Sequence, residues 1–134
     1  MVGQAPVRRL TVLYDAQCGL CRRVRYWLES RPAYVALEFL PAGSPAARER
    51  FGALDTAATL RELHVVADDG RVWSGARAWV LCLWALRETR ELSLSLSGPR
   101  RMALAQRMVA RLSERRYTLS EVLRWEAPRA ASEA

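Results

Sequence analysis

The chain contains no lysine, a single histidine and only three cysteines. Without lysine, the whole positive charge rests on arginine, and with 21 basic against 14 acidic residues the net charge is +7. Three unevenly spaced cysteines cannot build the disulfide framework of a secreted scaffold, so a CxxC in such a chain is catalytic or metal-binding. His64 is the one imidazole, which leaves it and Cys82 as the other soft ligands for any zinc site completed around Cys18 and Cys21. Long hydrophobic runs are also missing. The longest spans residues 78–86, nine residues, against the ~18–20 that cross a bilayer. The opening MVGQAPVRRL has neither an apolar central region nor a small-residue cleavage site. These features predict a soluble, cytoplasmic protein with no membrane partner. There is no internal repeat.

What remains is an ordinary globular composition, 51% hydrophobic and 26% charged in 134 residues, the size of one domain with a real core. The arginines are unevenly spread. Residues 8–31 and 97–126 each carry about +4, while residues 32–96 are close to neutral. Two basic ends could serve an anionic partner, or simply solubilise the surface. Aromatics are not interleaved with arginine as a base-stacking surface requires, so nucleic acid is an unlikely partner.

The chain is organised around LTVLYDAQCGLC, residues 10–21. Its apolar, β-branched start reads as a buried strand over 8–14. After Asp15 a helix is expected over 18–30, with Val24, Trp27 and Leu28 on the face of Cys21, stopped by Pro32. A second strand is expected at 34–40 and a helix at 45–52, with Ser44 as N-cap and Pro45 in the first turn. Residues 56–60 read as a turn or the tail of that helical region. Asp69-Gly70 between strands at 62–67 and 71–73 is a hairpin signal. Ser74 and Gly75 open a helix to about residue 88 that is apolar almost all round, hence buried, with Trp73, Trp79 and Trp84 in the core. Residues 92–97 alternate Leu and Ser and suit an edge strand or a linker with a half-buried face. An amphipathic helix over 100–115 places Leu104, Met108 and Leu112 on one face. Thr118 and Glu121 form a capping box for a last short helix carrying Val122, Leu123 and Trp125. The domain expectation is a core over 8–90, a helical extension over 91–126 packed on it, and flexible tails at 1–7 and 127–134.

The chemistry is expected at the strand-to-helix junction. Cys18 at the helix start is the candidate nucleophile, exposed, with its thiolate favoured by unpaired backbone N–H groups, the helix dipole and Arg22. Cys21, one turn further on, is the candidate resolving thiol and should be shielded. The alternative is half of a structural zinc site. Asp15 either caps the turn, accepting N–H bonds around Gln17 and Cys18, or accepts a proton near the thiols. A charge there would oppose thiol ionisation, which favours the cap. His64 reads as a structural histidine and Cys82 as a buried thiol with no role. The competing class is a basic adaptor for an anionic partner, with a structural or zinc-linked CxxC.

The order strand, CxxC at a helix start, strand, helix, hairpin, helix resembles a thioredoxin-like domain in its shorter, glutaredoxin-like β-α-β-α-β-β-α form, here with a helical C-terminal extension. Tyr14-Asp15-x-x-Cys18-x-x-Cys21, the stretch from Asp69 to Gly75 leading to Ala78-Trp79, and the Arg-rich tail around residues 110–117 are similar to the DCC family of thiol–disulfide oxidoreductases, named for that Asp and those two Cys. The resemblance implies a dithiol–disulfide exchange enzyme acting on protein or small-molecule thiols and disulfides, without a bound cofactor. One departure is evident. Thioredoxins carry a cis-proline where the hairpin begins, which falls here at residues 61–63, and no proline is present there.

Overall fold

The computed structural model describes residues 6–123. Strand β1 (Arg9–Tyr14) lies inside a four-stranded mixed sheet of order β2-β1-β3-β4, with β2 at Ala36–Pro41, β3 at His64–Ala67 and β4 at Val72–Ser74. It runs parallel to β2, with Val12 beside Phe39, and antiparallel to β3, with Val12 beside Val65. Alternation decides which side each residue feeds. Leu10 and Val12 join Val65, Ala67 and Leu28 in the main core, while Leu13 meets Leu40, Ala47 and Val66 on the opposite face. The arrangement is a mixed α/β fold of thioredoxin-like type with C-terminal helices.

Helix α1 (Gly19–Glu29) begins and ends as its sequence dictates. Cys18 is the N-cap, and at the far end the Ser30 N–H bonds the Tyr26 and Trp27 carbonyls before Pro32. Leu28 is buried, but Trp27 is exposed, with the Arg31 guanidinium stacked 5.4 Å from its ring. Helix α2 (Pro45–Arg50) starts where Ser44 accepts the Ala47 N–H at 3.2 Å. Its Arg50 reaches Glu38 on β2 at 2.8 Å, and Thr11 on β1 donates to the same carboxyl at 2.9 Å. The Arg50 hydrogen bond is the main cause holding the Glu38 carboxyl below its ordinary range.

Residues 56–60 are neither a turn nor a tail. They form a separate helix, α3 (Thr56–Arg61), because Asp55 caps it by accepting the Ala57 N–H. The hairpin turns at Gly70, with φ of +92°. Helix α4 (Ala76–Ala85) carries buried Ala78 and Cys82 and half-buried Trp79 and Trp84, as its apolar circumference requires. It stops short of residue 88 because another segment captures its end. The Tyr34 N–H bonds Ala85 O at 2.8 Å, Arg87 N–H bonds Pro32 O at 3.0 Å, and Ala33 bridges Leu86.

The Leu/Ser alternation is a helix, α5 (Arg90–Leu96), not a strand or linker. Thr89 Oγ1 and Arg90 Nε bond the Leu83 and Trp84 carbonyls, which fixes the start of α5 against the end of α4. Ser93 and Ser97 then return their hydroxyls to the carbonyls of Arg90 and Ser93. The buried member is Ser93, while Leu92 and Leu94 are exposed. Helix α6 (Pro99–Leu123) runs unbroken through Thr118, with no glycine or proline after its first residue, so the capping box starts nothing. It packs against α1, α4 and α5. The side chains it half-buries include Met102 and Val109, whereas Leu104 and Met108 are each 57% exposed and Leu112 is 51% exposed. Val7, expected in a loose leader, packs on the main core. Pro6 is exposed, and residues 1–5 and 127–134 of the expected tails, with Trp125, lie outside the described residues. Among the described residues, no helix is long and apolar enough to cross a membrane.

Candidate functional site

Strand β1 ends at Tyr14, and the chain turns into α1 through residues 15–18. Asp15 builds that turn. Its Oδ1 accepts the Gln17 N–H at 3.0 Å and its carbonyl accepts the Cys18 N–H at 3.2 Å. The carboxylate is buried, and its bond to the Gln17 N–H caps the turn. Cys18 follows as the N-cap, and its Sγ accepts the Cys21 N–H at 3.2 Å. The two sulfur residues are thus brought to the first turn of one helix, as the spacing requires.

Their exposure is the reverse of expectation. Cys18 has 0% of its surface accessible, whereas Cys21 is half-buried. The Cys18 side chain folds back over the helix end to take the Cys21 N–H, while Cys21 points from the next turn into a cavity. Arg22, one turn after Cys18, is also buried, at 7% exposure. Its Nη1 donates to Ala16 O at 2.7 Å, its Nε has no hydrogen-bond partner, and among the described residues no carboxylate pairs with it. Arg25, further along, forms an ion pair with Glu29 at 3.0 Å and donates from Nη1 to Tyr14 Oη at 3.3 Å.

The cavity has a volume of about 430 Å³ and lies between α1, β1, the segment 59–63 and α6. Its walls are mostly apolar, from Val12, Leu28, Phe39, Trp79, Val109 and Leu112, with Cys21 and Asp15 at one end. Arg61, Glu62 and Leu63, the residues standing where a thioredoxin has its cis-proline, line the same space, and all described peptide bonds are trans. The sequence did not indicate that α3 and α6 would close this cavity. Asp55 followed by helix formers was the available signal for α3; nothing local marked Val109.

The other candidates sit apart from this centre. His64 is buried on β3 with Nδ1 3.0 Å from Glu62 O, a satisfied structural histidine. Cys82 is buried in α4, where desolvation pushes its thiol up to about 12. Among the described residues, no three His, Cys, Asp or Glu side chains are grouped to hold a metal ion.

The family model for DCC1-like thiol-disulfide oxidoreductases matches residues 12–122. The chain belongs to that family. The match takes in Asp15, Cys18 and Cys21, the whole sheet beyond the start of β1, and α6 almost to its end. No curated protein and no solved structure matches the chain.

Proposed function

We propose that the protein is a thiol–disulfide oxidoreductase working by dithiol–disulfide exchange, with Cys18 as attacking thiolate and Cys21 as resolving thiol. The observation that carries this reading is the Cys21 N–H donated to Cys18 Sγ at 3.2 Å at the start of α1. An N–H bond and a helix N-terminus both favour the anionic sulfur. Arg22 adds a second reason. It is a buried cation without a carboxylate partner among the described residues, and its positive charge one turn from Cys18 favours an anion there.

In the forward direction the Cys18 thiolate attacks one sulfur of a disulfide. That S–S bond breaks, and the departing thiolate takes a proton from solvent. Cys21 then gives up its proton and attacks Cys18 Sγ, forming the protein disulfide and expelling the second thiol. Two electrons pass from the protein dithiol to the substrate, and the reverse sequence oxidises a dithiol. Thiols and disulfides of proteins or small molecules are the substrates, and the chemistry draws on no cofactor. Asp15 acts by holding the 15–18 turn. A cytoplasmic setting, where thiols are kept reduced, suits the reading.

A second assignment of roles is favoured by one observation, the greater exposure of Cys21, which would then meet the substrate first. Trapping separates the two. Cys21→Ser should accumulate a mixed disulfide on Cys18, while Cys18→Ser should accumulate little. Preferential trapping through Cys21 reverses the roles. Zinc near one per chain in the reduced protein, with unfolding on chelation, would sink exchange altogether in favour of a structural site.

A further inference from the structure

We infer that the apolar cavity beside Cys21 binds the organic body of a small, uncharged disulfide. This rests on the exchange reading above and goes beyond it by naming the substrate class. A space of about 430 Å³ falls within the range of small-molecule sites. Its walls, from Val12, Leu28, Phe39, Trp79, Val109 and Leu112, leave water few partners, so an apolar occupant gains by displacing it.

Two of the charged groups that line it, Asp15 and Arg25, are already engaged. Asp15 Oδ1 accepts the Gln17 N–H, and Arg25 pairs with Glu29 and donates to Tyr14 Oη. A peptide strand would bring backbone N–H and C=O groups that apolar walls cannot satisfy, and glutathione disulfide would bring charges that must be desolvated. A neutral, hydrocarbon-flanked disulfide meets neither penalty. Lodged against Cys21, its sulfur lies next to the residue whose N–H is 3.2 Å from Cys18 Sγ. Whichever of the two sulfurs attacks, the bound S–S bond breaks, one apolar thiol leaves after protonation, and the other half stays in the cavity until the second cysteine closes the protein disulfide and expels it.

The experiment follows oxidation of the reduced full chain by dipropyl disulfide and by bis(2-hydroxyethyl) disulfide, each rate divided by that of free cysteine with the same reagent. The expected result is a normalised preference for the propyl compound of about tenfold, equivalent to roughly 1.4 kcal/mol. Val109→Phe, which fills the cavity, and Leu112→Arg, which puts a guanidinium at its wall, should each lower that ratio severalfold. Leu104→Trp, on an exposed part of the same helix, should leave the ratio alone. Because the ratio is taken within one protein, a general loss of folded material does not change it. Oxidation by both reagents with a ratio near one, or a ratio unmoved in both cavity variants, overturns the cavity inference and leaves exchange standing. Failure of both reagents to oxidise the protein overturns exchange and the inference with it.

Discussion

Two cysteines of this chain are completely buried, and their surroundings give them opposite prospects. Cys18 sits among polar N–H groups at a helix start with a buried arginine one turn on. Cys82 sits in α4 among apolar neighbours, where loss of solvation is the dominant influence and raises its thiol from 9.0 to about 12. The consequence for stability has a definite sign. The unfolded thiol ionises near pH 9 while the folded one stays protonated, so its contribution is whole below pH 9. It is lost as pH rises toward 12, at up to about 1.4 kcal/mol per pH unit. Urea titrations of wild type and Cys82→Ala at several pH values should show the stability difference shrinking over that window in the variant's favour. A difference independent of pH would mean the thiol is reached by water. Exchange activity should be unaffected by Cys82→Ser. In the reduced protein, alkylation below neutral pH should label Cys18 before Cys21 if ionisation governs the order. Labelling of Cys21 first would show that access governs it.

At the scale of elements, the junctions do more than the elements themselves to place the site. Gly75, the residue before α4, has φ of +62° and ψ of −135°, a conformation closed to side chains other than glycine, and its N–H bonds Leu63 O at 2.9 Å. A Cβ there would come within 3.0 Å of Glu62 Oε2. This glycine ties the hairpin to the segment 61–63 that lines the cavity. Gly75→Ala should cost about 1–3 kcal/mol from backbone strain, read as a lower denaturation midpoint with an unchanged m-value. A cost indistinguishable from zero would show that the junction relaxes freely. The α4–α5 junction works similarly through Thr89 and Arg90, whose side chains satisfy the carbonyls at the end of α4.

Over the whole molecule, several arginines of the near-neutral middle stack on the protein's own aromatics, while of the two basic ends only Arg25 and Arg31 are shown doing so among the described residues. Arg90 lies 4.3 Å from the Trp84 ring and 4.4 Å from Tyr34, Arg87 lies 4.9 Å from Tyr34, and Arg71 lies 5.3 Å from Trp73. Guanidinium stacking suits arginine and not lysine, which fits the complete absence of lysine. A net charge of +7 still attracts polyanions at a distance. Nucleic acid should therefore be retained weakly, without sequence preference, and released as salt rises toward physiological strength, measurable by fluorescence anisotropy against ionic strength. A sub-micromolar complex that survives physiological salt would move the basic-adaptor reading ahead of exchange.

The sequence alone determined the features that depend on neighbours a few residues away. The β-branched run of β1, Cys18 and Cys21 one helical turn apart, the Asp15 cap, the Asp69-Gly70 turn and the Ser44 cap all follow from local rules of geometry and hydrogen bonding. The order of strands and helices up to α4 is legible from them, save for α3, a six-residue helix started by the Asp55 cap. The tertiary structure decided what depends on packing across the chain. Leu92, Leu94 and Leu96 alternate as a strand would, yet side-chain bonds to the end of α4 set that segment as a helix with Ser93 inside. Leu104, Met108 and Leu112 share a helical face, but Leu104 and Met108 stay exposed and α6 meets the body through Met102 and Val109, with Leu112 half exposed at the cavity wall. Helix periodicity made Cys18 the outer sulfur and Cys21 the inner one. The folding of Cys18 back over the helix end, and the cavity that α3 and α6 close in front of Cys21, reversed them, because exposure is set by what lies opposite a side chain and not by its place along the helix.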